Sequence, residues 1–166
     1  MNFLKRYIQV VDAINYRLGR IVMYGIFVMM AILLWSSFSK AFLLPSLWTL
    51  EMAQFAMVAY FILGGPYSLQ MGSNVRMDLF YGEWSDRKKA CMDCFTVLFL
   101  LVYLGVLLWG GIESTLYSFK YGGERSPTAW RPYLWPIKVA MCIGIFLMLL
   151  QAISELFKDI LRLRGE

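Results

Sequence analysis

The sequence predicts an all-α membrane protein with four transmembrane helices, short interfacial amphipathic helices and both termini in the cytoplasm. Of its 166 residues, 60% are hydrophobic and only 16% are charged, whereas soluble domains carry about a quarter charged residues. Four stretches carry so few charges that they can lie within a membrane, and Lys and Arg residues cluster at the ends of these stretches. We therefore treat residues 1–166 as a single integral membrane domain.

The four predicted spans cover approximately residues 19–40, 49–71, 91–117 and 134–158. A spanning helix needs about 20 mostly apolar residues, and the first three charge-free stretches reach that length. The fourth is shorter, and we expect Lys138 to extend its ammonium outward while Phe157 and Ile160 lengthen it inward. The first apolar run is longer than the core of a signal peptide, so we expect it to remain as a span.

The orientation follows from the distribution of Lys and Arg. Eleven lie in the N-terminal segment, the central loop and the C-terminus, and five lie in or beside the other two loops. The positive-inside rule assigns the richer side to the cytoplasm. Both termini are therefore predicted to be cytoplasmic.

Two segments on that side are predicted to lie at the membrane interface. In residues of about 2–18, apolar side chains recur every three or four positions, which is typical of an amphipathic helix. In residues of about 75–88, apolar and charged side chains alternate, and Gly82 is expected to divide any helix there. The outer loop, residues of about 119–133, contains glycines, prolines and aromatic side chains, so we expect an ordered cap without a long helix.

Several function classes are excluded by what the sequence lacks. It has no histidine, which removes the commonest metal ligand and acid–base catalyst. No basic surface with interleaved aromatic residues points to nucleic acid, and no acidic residue lies at the centre of a span. We therefore predict no catalytic residue, no cofactor and no metal site. These absences favour an accessory subunit that works with a partner.

Cys91 and Cys94 form a Cys-x-x-Cys motif at the cytoplasmic end of the third predicted span. Thiols on that side of the membrane stay reduced, and the remaining cysteine, Cys142, is deep in the fourth span. A zinc site would need four ligands. We favour two small apolar side chains on one helix face over a redox role.

Polar residues at the span ends are the candidate contact residues. Trp48, Glu51 and Gln54 open the second span; Glu51 either meets a protein partner or stabilises the start of its helix through the helix dipole. Glu113 and Lys138 lie near the outer ends of adjacent antiparallel spans, so we predict a structural ion pair between them.

Arg76 and Asp78 are two positions apart and would not face each other on a helix. Each therefore either meets water in a solvated loop or contacts another protein.

The segment Leu47 to Glu51, followed by Tyr67 to Asp78, resembles the small DctQ-type membrane subunit of tripartite ATP-independent periplasmic (TRAP) transporters. That family has Trp and Glu at the start of its second span. In the segment that follows, five residues match in order: Gly72, Asn74, Val75, Arg76 and Asp78. Asn74 replaces the usual His. The loop containing Pro127, Trp130, Pro132 and Trp135 is also similar, and the resemblance extends over about residues 20–160.

The resemblance implies a function in sodium-coupled uptake of an organic acid. Such a subunit binds a large elevator-type membrane subunit (DctM or SiaM type), enlarges its scaffold and helps to dock a periplasmic substrate-binding protein. Trp48, Glu51, Gln54, Arg76 and Asp78 then become candidate contacts to the large subunit. Arg125, Trp130 and Arg131 become the candidate outer docking surface, and the bacterial inner membrane becomes the expected location, with membrane lipids as the other partner.

Two alternatives remain from the residues alone. A small homodimeric multidrug-type exporter would need an acidic residue inside the first span, and residues 21–39 contain none. A four-span redox membrane protein would depend on Cys91 and Cys94.

Overall fold

The described residues form five helices. The computed structural model describes residues 2–44, 46–72, 86–121 and 123–164. The helices are α1 (Asn2–Met23), α2 (Gly25–Phe42), α3 (Thr49–Gln70), α4 (Asp86–Lys120) and α5 (Trp135–Arg164). No strand occurs within these ranges, so the predicted all-α class is confirmed.

Four helical stretches are long and apolar enough to cross a membrane: Leu4–Phe42, Thr49–Gln70, Phe95–Lys120 and Trp135–Leu161. This confirms the predicted four-span architecture. The cytoplasmic placement of both termini stays a prediction. Most of the predicted interfacial segment at residues 75–88 lies outside the described residues.

The first stretch is divided by a short break at Tyr24. The Tyr24 amide donates to the Ile21 carbonyl at 3.2 Å, and the Phe27 amide donates to the Tyr24 carbonyl at 3.1 Å. These three-residue spacings belong to a tighter turn than an α-helix. The boundary between α1 and α2 therefore lies at Tyr24, beyond the residue 18 at which the interfacial helix was expected to end.

Helix α3 contains Pro66 and ends at a glycine. Pro66 has no amide hydrogen, so the Ile62 carbonyl loses its usual partner one turn later; membrane helices tolerate this when neighbours pack around the exposed backbone. Gly72 has φ +63°, the left-handed conformation that ends many helices. Its amide donates to the Leu69 carbonyl at 3.2 Å and closes the last turn.

The helices lie side by side in the order α4, α5, α3, α2, and α1 packs against both α3 and α5. Helices α3 and α5 run parallel, because Ile62 faces Gly144 and Gly65 faces Met148. A Cβ added at Gly144 would lie 2.4 Å from Ile62 Cγ2 and 2.9 Å from its carbonyl oxygen. The missing side chain thus lets α5 approach the part of α3 where Pro66 frees a carbonyl.

The interior is small and the surface is apolar. Leu104, Ile145 and Ala152 form the buried core, with half-buried Leu, Val and Met side chains around them. Large apolar residues on α2 and α4, such as Phe27, Leu34, Val106 and Trp109, are exposed. Such a surface suits a protein that is surrounded by lipid. In that environment the hydrophobic effect does not drive helices together.

Two ends of the bundle carry its polar side chains. We call the first the termini end; it comprises the parts of α1, α3 and α5 around Asp12, Gln70 and Gln151. Here Gln70 donates to the Asp12 carbonyl at 3.2 Å and Gln151 donates to the Asp12 carboxylate at 3.0 Å. The second is the hairpin end, formed by residues 123–134 and by the starts of α3 and α5.

Candidate functional site

Gln151 lies at the centre of a polar network at the termini end. Its side chain is 0% exposed. Its carbonyl oxygen accepts a hydrogen bond from Asn15 Nδ2 at 2.6 Å, and its amide donates to Asp12 Oδ1 and to Glu155 Oε1, both at 3.0 Å. A buried amide is costly unless it is bonded in this way.

Lys158 completes the network. Its ammonium lies 2.8 Å from Asp12 Oδ2 and 2.8 Å from Glu155 Oε1, and Ser154 donates to Asp12 Oδ1 at 3.2 Å. One cation thus bridges two carboxylates on different helices. The contacts of Gln151, Ser154 and Lys158 join α1 to α5 or lie within α5, so the network fastens the first helix to the last.

Sequence reasoning missed this network. Asn15 and Gln151 are uncharged, so a search for charges near the spans passes over them. Asp12 lies on a helix that was expected to rest at the interface. The available signal was the pairing of Asp12 with Asn15 on one side of α1 and of Gln151, Ser154, Glu155 and Lys158 at intervals of three or four residues on α5, the spacing of one helix face.

The loop at the hairpin end is ordered by its own hydrogen bonds. The Ser126 amide donates to the Pro132 carbonyl and the Leu134 amide to the Glu124 carbonyl, each at 3.0 Å. Arg125 and Tyr133 form an antiparallel bridge; the guanidinium donates to the Tyr133 hydroxyl at 2.5 Å and lies 4.5 Å from the ring centre. Arg125 is therefore part of the loop's framework.

The tip of this hairpin exposes two of the predicted docking residues. Trp130 and Arg131 are both exposed, and Arg131 has φ 49°. A side chain in this left-handed region costs about 1–2 kcal/mol relative to an ordinary backbone conformation. Such outliers concentrate at functional sites, and here the outlier lies beside an exposed tryptophan.

Lys138 has a different partner from the one predicted. It pairs with Glu124, donates to the Ser118 hydroxyl at 2.8 Å, and thereby ties α5 to the hairpin and to α4. The Lys138 ammonium and the Ser118 hydroxyl hold the pKa of the Glu124 carboxyl below its ordinary value. The pair therefore persists at neutral pH, and it is lost only when acid protonates Glu124.

Glu113 instead accepts a hydrogen bond from the Trp109 indole at 2.9 Å, on its own helix. Gly111 and Thr115 both contact Cys142, so they define the face of α4 that meets α5. Position 113 is two residues from each, about 200° around a helix of 3.6 residues per turn. Glu113 therefore points away from Lys138, and the predicted ion pair is wrong.

Glu51 is buried at the start of α3. It is 6% exposed, and its Oε2 atom accepts no hydrogen bond within the described residues. Three hydroxyl groups interact at this end of α3. Thr49 donates to Ser36 Oγ at 3.1 Å, and its hydroxyl oxygen lies 3.1 Å from Ser46 Oγ. A buried carboxylate oxygen without a donor is unusual, and it leaves both explanations of Glu51 open.

The other predicted contact residues divide into two groups. Trp48 and Gln54 are exposed on the surface of the bundle, where another protein can reach them. Arg76 and Asp78 lie outside the described residues.

Cys142 lies far from Cys91. Cys142 packs against Gly111, and its sulfur lies 3.4 Å from Thr115 Oγ1. Cys91 is twenty residues before Gly111 on the same helix, a separation of about 30 Å. A disulfide needs Cα atoms within about 7 Å, so Cys142 is too distant to pair with Cys91. The side chains of Cys91 and Cys94 lie outside those described.

Comparison with known proteins gives one family. The model of the DctQ component of tripartite ATP-independent periplasmic transporters matches residues 18–162, and this range includes the hairpin, most of the first apolar stretch and all of the other three. Comparison with curated proteins and with solved structures returns no match. Since the matched residues make up most of the chain, the protein belongs to the DctQ family: it is a non-enzymatic membrane component of a tripartite ATP-independent periplasmic transporter.

Proposed function

We propose that this protein is the small scaffold subunit of a transporter for the sodium-coupled uptake of an organic acid, located in the bacterial inner membrane. It anchors and stabilises a large elevator-type membrane subunit and helps to dock a periplasmic substrate-binding protein. The family match over residues 18–162 carries the proposal. Both alternatives, the homodimeric exporter and the redox protein, give way to the family assignment.

The distribution of polar groups supports a scaffold role. Most of the described hydrogen-bonding side chains lie at the termini end or the hairpin end, and the surface between them is largely apolar. A rigid brace needs helices that keep their relative positions, and the Gln151 and Lys138 contacts tie the helices together at both ends.

Contact with the large subunit is proposed for Trp48, Glu51 and Gln54, with Arg76 and Asp78. Exposed Trp48 is the type of side chain that dominates binding energy at interfaces. The Oε2 atom of Glu51 has no partner among the residues that the structure describes, so a hydrogen-bond donor supplied near the start of α3 would remove the cost of its burial.

The test is co-expression with the large subunit and purification of the complex in mild detergent. We expect a one-to-one complex in wild type and weaker assembly when Trp48 is replaced by Ala or when Arg76 and Asp78 are reversed in charge. Leu98→Ala, an exposed apolar truncation on α4, is the matched control for Trp48→Ala. Purification of the wild-type chain solely as a homo-oligomer would contradict the proposed function.

Docking of the binding protein is proposed for the hairpin tip. Glycine adopts φ 49° without strain, so Arg131→Gly removes the side chain while keeping the backbone path. We expect Arg131→Gly and Trp130→Ala each to weaken binding to the purified complex by at least about five-fold, as truncation of central Arg and Trp contacts does. Lys40→Ala, an exposed cation on α2, should bind as wild type.

If Arg131→Gly and Trp130→Ala both bind as strongly as wild type, the tip is not part of the docking surface. Melting temperatures measured in parallel separate lost docking from lost folding, because Arg131→Gly is expected to be at least as stable as wild type.

A further inference from the structure

An open apolar groove runs along the bundle between the α1–α2 junction and the second half of α3. Its volume is about 370 Å³. Gly19, Gly64 and Gly65 line it, with aromatic side chains from Tyr60 to Tyr67 along its length. Seven residues of helix span about 10 Å, so the groove extends from near the end of α3 towards the middle of the membrane.

The protein's own side chains do not fill this groove. A Cβ added at Gly64 would meet just one atom within 4 Å, Val22 Cγ1 at 3.9 Å. Phe61 and Met23, which form the rim, are 60% and 49% exposed. The groove therefore opens sideways, towards the lipid that surrounds the spans.

One end of the groove carries a cation. The Arg20 guanidinium lies 5.6 Å from the centre of the Tyr16 ring, and that ring lies 5.9 Å from the Tyr67 ring that lines the groove. Arg20 is exposed and takes part in none of the ion pairs between described residues. Tyr67 is one turn before Gln70, the last residue of α3, so Arg20 lies near the polar edge of the spans.

From this arrangement we infer that the groove binds an anionic phospholipid, with one acyl chain along Gly64 and the phosphate group beside Arg20. The groove suits that ligand at both ends: an apolar channel is directed into the membrane, and at its polar edge lies a cation with no ion-pair partner among the described residues. Arg is well suited to phosphate because its planar fork donates two parallel hydrogen bonds. The aromatic stack of Tyr16 and Tyr67 connects the cation to the channel.

The test is native mass spectrometry of the full chain in mild detergent, titrated with phosphatidylglycerol or with phosphatidylcholine of the same acyl chains. We expect wild type to retain phosphatidylglycerol in preference to phosphatidylcholine. Arg20→Gln should weaken phosphatidylglycerol binding by about five-fold, since one Arg near an anionic headgroup contributes about that factor. The loss for phosphatidylcholine should be smaller, because its choline cation offsets the attraction between Arg20 and the phosphate. Gly64→Leu should reduce the retention of both lipids.

Matched controls separate a site from a general surface effect. Arg6→Gln removes an exposed cation from the same helix, about 21 Å away along its axis. Gly110→Leu adds the same side chain to an α4 glycine with nothing within 4 Å. Both controls should bind lipid as wild type. Gly64→Ala, whose methyl group meets Val22 at an ordinary contact distance, supplies a graded effect in the event that Gly64→Leu does not fold.

Three results would overturn the inference. One is equal retention of both lipids by wild type, and a second is equal loss in Arg6→Gln and Arg20→Gln. The third concerns a Gly64→Cys variant in the assembled transporter. If the large subunit protects its thiol from chemical modification and no lipid is retained, the groove belongs to a partner helix. The inference concerns the isolated chain as well as the complex, so it does not depend on the proposed scaffold function.

Discussion

At the scale of single residues, Gln151 has the most demanding environment in the described chain. All of its side-chain polar atoms are used, and they bond to residues that are 136 and 139 positions away in the sequence as well as to a neighbour one turn on. In an environment with little water, each of these groups would otherwise be buried without a partner. The residue therefore fixes how the first and last helices meet.

Replacing Gln151 with Ala should lower the stability of the bundle by about 1–3 kcal/mol, the usual cost of leaving buried partners unsatisfied. The measurement is the thermal or denaturant-induced unfolding of the purified chain in detergent. Gln54→Ala is the control, because Gln54 is exposed and such a change is expected to stay within about 0.5 kcal/mol.

A double variant sharpens this prediction. Gln151→Leu with Asn15→Leu removes both partners of the shortest bond at once, and paired apolar replacement is often nearly neutral. We expect it to be more stable than either single variant. Stability equal to wild type in all single variants would show that the network is not a tie between the helices.

At the same scale, Glu51 and Arg131 differ from their surroundings for opposite reasons. One buried oxygen of Glu51 has no hydrogen-bond donor in the described part of the chain, and Arg131 is exposed in a backbone conformation that suits glycine. Neither feature strengthens the isolated chain. Both therefore become intelligible if a second protein contacts these residues, which is what the proposed function asks of them.

At the scale of helices, the contact between α3 and α5 is closest to the backbone at Gly144. Gly144 is the position where a side chain would collide with both the side chain and the carbonyl of Ile62. A Cβ added at Gly105, by contrast, would meet no described atom within 4 Å. Small residues are thus informative about packing only once the facing helix is known.

Gly144→Ala should destabilise the bundle by about 1–3 kcal/mol, because an added methyl forces the two helices apart. Gly110→Ala places the same methyl in open space and should unfold as wild type or slightly later, since Ala favours helix over Gly. Detergent unfolding of the two variants side by side provides the measurement. Equal stability would show that α3 and α5 separate without cost.

The sequence predicted the elements well and their contacts poorly, for a physical reason. Each span can be recognised in the sequence as a stretch of about twenty mostly apolar residues, so four spans and the all-α class could be predicted from local composition. The ion pair of Lys138 could not, because it depends on the rotation of α4 and on the path of the hairpin that brings Glu124 close. The same holds for Asp12 and Gln151, whose proximity depends on how helices distant in sequence pack.

At the scale of the whole molecule, the chain presents two polar ends separated by lipid-facing helices. Its orientation follows from charge: eleven Lys and Arg residues belong to the predicted cytoplasmic side and five to the other. The termini end is therefore predicted to face the cytoplasm and the hairpin to face the periplasm, where a soluble binding protein would meet it.

Reporter fusions test this orientation. A fluorescent protein fused at the C-terminus should fluoresce, and alkaline phosphatase at the same position should be inactive, since it matures only outside the cytoplasm. Insertion of each reporter at Thr128 in the hairpin should give the opposite pair of results. Active phosphatase at the C-terminus would reverse the predicted topology and remove the hairpin from the docking surface.

The polar network at the termini end also constrains how the protein is made. Asp12 and Asn15 emerge early from the ribosome, but Gln151, Ser154 and Lys158 are synthesised last. Until then Asn15 lacks the partner that offsets the cost of its burial, Asp12 lacks its ion pair with Lys158, and α1 has its contacts with α3 but none with α5. Closure of the network thus reports that synthesis has reached the final helix.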